Sequence, residues 1–452
     1  MTRWTAAFVA RALGLPTTSE LTDFTRISTD TRTLERGALF VALAGERFDA
    51  HDHLAAARDA GARAAVVRRG TPAVAGLPLI EVDDTLRAYG NLARERRRTL
   101  AGPVVAVTGT NGKTSTKEML AAVLGTRFRV HATRANLNNL VGVPLTILES
   151  PGDAEALVVE AGANLPGEIA RYREIIEPTI TVITNVGAGH LEGFGSVAGV
   201  LSEKLSLARD VPLAVVGTEP PALAEGASRL AARVVTGGLQ AADVTPDSVE
   251  LGADGRARLG VDGLDITLPY PGRHLAANAM LAWAVARELG LELPSAARAL
   301  GRFTLPGGRT ELVQRGGLTI LNDCYNANPQ SFRSAIATAR AMRGARRLVF
   351  VAGTMRELGD AAPALHAEVA AALAELGPDV LGAVGDFVPA LAAHGAALGD
   401  RLVTAADPEA LGRAIAPRLQ GDELIVLKAS RGVALERILP LLVPPQTIAP
   451  EA

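Results

Sequence analysis

Short, continuous apolar runs recur along the chain, and Ala-rich stretches of mixed polarity separate them. Val104–Val107, Leu157–Val159 and Ile180–Thr184 form one series, and Leu318–Leu321, Leu348–Val351, Val380–Val384 and Leu424–Leu427 form another. Runs without alternation predict strands buried on both faces, hence parallel sheets covered by helices on each side. Before the first series the pattern predicts short strands and turns, a helix over His53–Ala60, a strand at Ala64–Val67 and a charged helix over Leu92–Leu100. Between the two series, Val244–Leu268 predicts a polar antiparallel excursion and Ala276–Leu289 a buried helix. Gly102-Pro103 and Pro306-Gly307-Gly308 punctuate the chain. The segments they bound are 1–98, 99–306 and 307–452, three α/β domains of which the last is doubly wound.

Composition sharpens this picture only in part. Of 452 residues, 48% are apolar and 4% aromatic, which suits α/β layers with large aliphatic cores. Lys plus Arg is 46 against 48 Asp plus Glu, so no global field recruits nucleic acid or an anionic membrane, and polyanions must be captured locally. The single cysteine, Cys324, excludes an intrachain disulfide and a thiolate cluster. The N-terminal residues 1–20 carry an apolar stretch interrupted by Arg11 and predict a short amphipathic helix rather than a secretion signal. With no apolar run long enough to span a bilayer, a cytoplasmic protein without membrane insertion is expected.

The chemistry begins at Val104–Thr116, read VVAVTGTNGKTST. An apolar strand runs into Gly109, Thr110, Asn111, Gly112, Lys113, Thr114 and Ser115, and a helix is predicted over Ser115–Leu124. Glycines let backbone N–H groups face phosphate oxygens, and a helix N-terminus adds a favourable dipole. Lys113, expected in an exposed loop, would neutralise the β- and γ-phosphates, and the Thr114 hydroxyl would ligate Mg²⁺. The usual G-x-x-x-x-G-K-[ST] spacing is not met, since Val107 stands at the first glycine position. A glycine-rich turn without a ligand is the alternative. Two later apolar runs deliver Glu160 and Asn185 at their carboxyl ends, with His190 in the following loop. Ligands of open α/β sheets bind beyond those ends, so Thr114, Glu160 and His190 are candidate metal ligands.

These residues resemble the Mur ligase family, whose phosphate loop takes the form T-G-[TS]-N-G-K-[TS], as at Thr108–Thr114. The resemblance spans almost the whole chain. It includes Asn138–Pro144 (NNLVGVP), Glu160–Asn164 (EAGAN), Asn185–Ser196 (NVGAGHLEGFGS), Gly272-Arg273-His274 with Asn278, Gly308-Arg309, Asn322–Pro329 (NDCYNANP) and Gly353–Gly359 (GTMRELG). Thr29–Arg32 (TDTR), Gly37–Leu43 (GALFVAL) and residues 45–53 (GERFDAHDH) are similar to the family's UDP-binding domain.

The resemblance implies a small N-terminal UDP-binding domain, a central P-loop domain with a mostly parallel sheet, and a C-terminal Rossmann-like domain. It implies ATP and Mg²⁺ as cofactors. It also implies an ATP-dependent amide ligase that joins D-alanyl-D-alanine to UDP-N-acetylmuramoyl-tripeptide through an acyl phosphate, giving a peptidoglycan precursor. A monomer is expected. The Tyr and paired Asn of NDCYNANP favour that branch, and no Asp-Asn-Pro-Arg segment marks the neighbour that adds the third amino acid. By resemblance, Thr31 and Arg32 lie near the uridine diphosphate, with the Phe48–His51 loop beside it. His274 and Asn278 lie by the adenine, Asp323 by the ribose, and Arg309 faces the phosphates. Asn326 and Asn328 join the nucleotide contacts. Lys113 and His190 are catalytic, and Lys204 is the family's carbamylated, metal-holding lysine, or else a helix cap or direct phosphate contact. Lys428–Arg431 (KASR) adds charge to an ATP cleft or forms a solvated turn. The chain departs from the family pattern at Ala50, Ser206, Asn322, Cys324 and Thr354. A third-residue-adding ligase, a folylpolyglutamate-type ligase and a nucleotide switch are the rival readings.

Overall fold

The computed structural model describes residues 4–16, 23–45 and 48–442. Glu46 and Arg47 of the GERFDAHDH segment, and parts of the N-terminal stretch, lie outside them. The chain divides into two compact units, one of residues 1–108, 127–163 and 167–181, the other of residues 109–126, 164–166 and 182–452.

The first unit opens with the expected amphipathic helix, Ala6–Leu13, whose N-cap Thr5 accepts from Phe8 N–H and whose C-cap Gly14 sits at φ +68°. Strands β1 (Ile27–Ser28), β2 (Leu39–Val41), β3 (Ala64–Arg68) and β4 (Leu79–Val82) form a parallel sheet in the order β1-β2-β3-β4. The helix expected over His53–Ala60 is a 3₁₀ turn, Ala50–His53, running into Leu54–Asp59. The charged helix begins earlier than its charges indicate, at Thr85, because Asp84 accepts from Arg87 N–H as N-cap. It ends at Arg97 and is not simply solvated. Arg96 and Arg97 are buried, and their guanidinium groups donate to the carbonyls of Ser150, Pro151, Ile176 and Glu177 at the ends of two neighbouring helices.

After this helix come β5 (Val104–Thr108), β6 (Val130–Ala132), β7 (Ala156–Glu160) and β8 (Ile180–Ile183). Their order is β8-β5-β7-β6, and β5 and β7 are buried throughout. Gly102 at the entrance to β5 admits no side chain, since a Cβ there would lie 1.8 Å from the Glu155 carbonyl.

In the second unit β8 is followed by β9 (Leu213–Val216) and β10 (Val234–Thr236), paired in parallel. The polar excursion is an antiparallel sheet of β11 (Ser248–Leu251), β12 (Arg256–Val261) and β13 (Leu264–Pro271). The helix Lys113–Leu124 packs against Arg273–Glu288 and Leu293–Leu300. Arg273–Glu288 is buried nearly all round, with Trp283 fully enclosed.

The last sheet holds β14 (Glu311–Arg315), β15 (Leu318–Asp323), β16 (Leu348–Ala352), β17 (Val380–Ala383), β18 (Leu402–Thr404) and β19 (Leu424–Lys428), in the order β14-β15-β19-β16-β17-β18. Only β14 runs antiparallel, turning into β15 through Gly316-Gly317. Alternate residues of β15, β16 and β19 enter opposite cores, Leu321, Phe350 and Val426 on one face and Ile320, Val349 and Ile425 on the other. This is the doubly wound arrangement that continuous apolar runs predict.

Candidate active site

Where β5 ends, Gly109 (φ +144°) and Gly112 (φ +79°) take backbone conformations that residues with a Cβ avoid. Both are also tightly hemmed. A Cβ on Gly109 would lie 2.0 Å from Thr184 Oγ1, and one on Gly112 would lie 2.7 Å from the Asn278 amide. The helix starts at Lys113, two residues before the predicted start, so Lys113 is its first residue and half-buried rather than part of an exposed loop. With Gly112 in the left-handed region, the chain can enter the helix at once. Lys113 Nζ donates to the Gly109 and Thr110 carbonyls at 2.8 and 3.1 Å, folded over the loop it follows. Thr114 and Ser115 are buried in the first helical turn.

Asn111 fixes the middle of the loop. Its N–H donates to Asn185 Oδ1, and its carbonyl accepts from Thr184 Oγ1 and Asn185 Nδ2. Its side-chain amide pairs reciprocally with that of Asn328, Nδ2 to Oδ1 at 3.2 Å one way and 2.7 Å the other, and also donates to Gln330 Oε1 at 2.8 Å. Asn328 is at the same time the N-cap of helix Pro329–Arg343, in a capping box with Ser331. In this structure the Asn328 amide, expected at the nucleotide, is engaged by Asn111 and the helix cap. Gln330, whose Nε2 donates to Glu219, had no signal in the sequence as a partner of the phosphate loop.

Glu160, the last residue of β7, is 1% exposed. Asn138 Nδ2 donates to its Oε1 at 2.8 Å, and Thr133 Oγ1 accepts from its N–H. Among the described residues Oε2 is buried with no hydrogen-bond partner. A buried carboxylate oxygen left open fits a cation ligand, because desolvation without a partner is costly. Among the described residues no group of three or more His, Cys, Asp or Glu side chains could hold a metal alone.

His190 adopts φ +55°, and its Nδ1 lies 2.6 Å from Glu357 Oε2. The histidine holds the Glu357 carboxyl below the usual carboxylate range. Lys204 is fully buried in helix Val197–Leu205, with Nζ 5.5 Å from the Phe194 ring centroid.

Around helix Arg273–Glu288, His274 Nδ1 and Asn278 Nδ2 are buried without partners among the described residues. Burial lowers the pKa of His274, keeping its ring neutral near pH 7. Arg309 lies 3.7 Å over the Tyr325 ring, and its Nε is likewise open. Asp323 is engaged within the protein. Its Oδ2 receives Lys428 Nζ at 2.6 Å and its Oδ1 receives Thr310 N–H, so it serves first as counter-ion. Lys428 is 2% exposed, neither a solvated turn nor a free cleft charge. It also donates to the carbonyl of Asn326, whose own Oδ1 accepts from Ala327 N–H.

In the first unit, Thr31 is half-buried and Arg32 exposed. The Arg32 guanidinium grips Asp30 at 2.7 Å and pulls its carboxyl down to about 2. Phe48 is 58% exposed, with its ring stacked on His53. His51 supports its loop, with both ring nitrogens engaged. Nδ1 faces Asp49 Oδ1 at 2.5 Å and Nε2 accepts from Arg68 N–H at 3.0 Å.

Comparison with known proteins bears on this arrangement. Family models match along the chain: the Mur ligase family catalytic domain at residues 23–97, the Mur ligase middle domain at 107–286, and the Mur ligase glutamate ligase domain at 308–431. The chain is 36% identical to the UDP-N-acetylmuramoyl-tripeptide–D-alanyl-D-alanine ligase of Bacillus subtilis, over 91% of this chain and 92% of that one. It is 35% identical to the Escherichia coli enzyme of the same name, over the same shares. A crystal structure of MurF from Acinetobacter baumannii superposes with a TM-score of 0.88 at 32% identity, covering 98% of this chain and 99% of that one. MurF ligase from Thermotoga maritima, solved in complex with ADP, gives 0.83 at 27% identity, covering 92% and 96%.

Proposed function

The chain belongs to the Mur ligase family, and from that premise we propose that it joins D-alanyl-D-alanine to UDP-N-acetylmuramoyl-tripeptide at the expense of ATP. The observation that carries the reading is a glycine loop opening a helix at Lys113, in a chain similar over nine-tenths of its length to ligases of that name.

Joining a carboxylate to an amine in water requires activation, supplied here by transfer of the ATP γ-phosphate to the tripeptide carboxylate. The dipeptide amine then attacks the acyl phosphate carbonyl, and inorganic phosphate leaves. Such transfer is catalysed mainly by positioning and charge neutralisation. Lys113 would turn from the loop carbonyls to the phosphates, and the N–H groups of the first helical turn would face the same oxygens. Thr114, Glu160, His190 and Lys204 would hold Mg²⁺, Lys204 as its carbamate. When bound, Mg²⁺ supplies charge neutralisation at the phosphates. Asn278 and neutral His274 offer open polar atoms to adenine, and Arg309 can leave Tyr325 for phosphate. Residues 1–98 would take the UDP moiety, with Thr31 and Arg32 hydrogen-bonding and Phe48 as an apolar surface. Residues 99–306 would carry the phosphate loop, and 307–452 would complete the nucleotide site.

The test is to incubate the protein with ATP, UDP-muramoyl-tripeptide and either D-Ala-D-Ala, glutamate or a diamino acid, and to follow phosphate release. Release with D-Ala-D-Ala alone is expected. Release with a diamino acid alone would move the chain to the third-residue-adding branch. Lys204→Arg, or rigorous removal of CO₂, should abolish turnover if the carbamate is used.

A further inference from the structure

Three bonds fasten one loop to the end of β7. Thr133 Oγ1 accepts from Glu160 N–H at 3.0 Å, the Asn138 carbonyl accepts from Gly162 N–H at 2.9 Å, and Asn138 Nδ2 donates to Glu160 Oε1 at 2.8 Å. Gly162 has no room for a side chain, since a Cβ there would lie 2.8 Å from Asn138 Nδ2. Asn139 steadies the same loop from its other side, with Oδ1 accepting from Val141 and Gly142 N–H at the start of helix Gly142–Leu148. The amide of Asn138 is thus set against one carboxylate oxygen by backbone on both flanks.

We propose that Asn138 is a positioning residue for the metal site: it occupies Glu160 Oε1 and so turns Oε2, buried and without a protein partner among the described residues, toward the cation. The inference rests on the reading of Glu160 as a metal ligand. A carboxylate at the end of a side chain can rotate, and either oxygen could otherwise turn inward to seek a donor. An amide N–H bonded to one oxygen fixes the plane of the group, and outer partners of this kind set ligand orientation at metal sites. Asn suits the task better than Lys or Arg because it donates without adding charge that would oppose the cation.

The experiment measures ADP binding to the full-length protein by calorimetry, with and without added Mg²⁺, alongside Mn²⁺ binding by electron paramagnetic resonance. Asn138→Ala and the volume-filling Asn138→Leu should each raise the Mg²⁺ concentration for half-maximal enhancement of ADP affinity roughly tenfold or more. Metal-free ADP affinity should stay within about twofold, since an outer-sphere contact to the cation does not touch the nucleotide. A purely structural role would instead lower both affinities together. If both variants keep the wild-type Mg²⁺ dependence, the inference fails. Glu160→Gln separates the two layers. If it too leaves Mg²⁺ dependence unchanged, the metal-ligand reading falls, whereas a large effect there with none at Asn138 overturns only the positioning role.

Discussion

The carboxyl end of β7 and the paired ends of β15 and β19 present buried polar groups of the same kinds and leave them in opposite states. At β7, Glu160 has one oxygen bonded to Asn138 and the other without a partner among the described residues. At β15 and β19, Asp323 and Lys428 close on each other, with Thr310 N–H and the Asn326 carbonyl completing the set. Burying an open polar atom costs free energy that a closed pair largely avoids. A chain that leaves Glu160 Oε2, His274 Nδ1, Asn278 Nδ2 and Arg309 Nε open pays that cost where a ligand would relieve it. These open groups are candidates for ligand contact, although other buried polar atoms among the described residues, Tyr89 Oη and Asn322 Oδ1 included, are open as well.

The largest effect should fall on the phosphate loop. Lys113→Ala should lower turnover by about a thousandfold or more, the scale of losing a charge-neutralising group in phosphoryl transfer. Its melting temperature should stay within about 2 °C, because the bonds of Lys113 Nζ to loop carbonyls are part-exposed. A folded variant with substantial ligase activity would break the assignment.

On the closed side the loss should be stability. Asp323→Ala strands the buried Lys428 ammonium and should cost about 3–5 kcal/mol in denaturant titration. Adding Lys428→Met should recover much of that loss. A double variant no more stable than Asp323→Ala would show that the pair is not the relevant unit.

Asn328 sits on both sides of the comparison. Asn328→Ala removes a helix cap, worth about 1 kcal/mol, and frees Asn111 in the phosphate loop. Calorimetry should show ADP binding weakened several-fold as the loop loses its brace. Stability loss with unchanged ADP affinity would confine Asn328 to the cap.

The smallest effect concerns Asp49. The His51 backbone N–H, then its ring, hold the Asp49 carboxyl below its ordinary 3.8. With the folded value depressed, the stabilisation is present above that pH and fades as pH falls through the lower folded value. Screening at this part-exposed site keeps it under about 1 kcal/mol. Asp49→Asn should flatten the acid limb of the melting curve between pH 5 and 3, relative to wild type, and parallel limbs would contradict it.

Much of the scaffold was legible because its signals are local. Runs such as Val104–Val107 and Leu424–Leu427 encode buried parallel strands within a few residues, and TGTNGKT encodes a turn into a helix. The polar excursion was legible for the same reason, and the structure extends it to Pro271. What escaped was long-range pairing. Asn111 and Asn328 are 217 residues apart in sequence, and nothing near either indicates that their amides meet. The partner of His51 was hidden likewise, since its Nε2 accepts from the backbone of Arg68 at the end of β3. Lys428 reads as a cleft charge or part of a solvated turn, and only the register of β15 against β19 sets it beside Asp323. Lys113 was misplaced for a local reason: the left-handed conformation of Gly112 lets the helix begin two residues early.

The helix that follows the phosphate loop has its cover far downstream, in Arg273–Glu288 and Leu293–Leu300. On the ribosome, residues 113–124 emerge long before those helices exist. At ~5–20 residues per second, the apolar side that includes Met119, Leu120 and Val123 waits on the order of ten seconds or more for its partners. During that interval the segment destined to grip nucleotide is a sticky nascent surface. Trigger-type holdases that bind exposed apolar stretches should therefore crosslink most strongly to chains stalled between residues 150 and 270, and release them once residue 300 has cleared the exit tunnel.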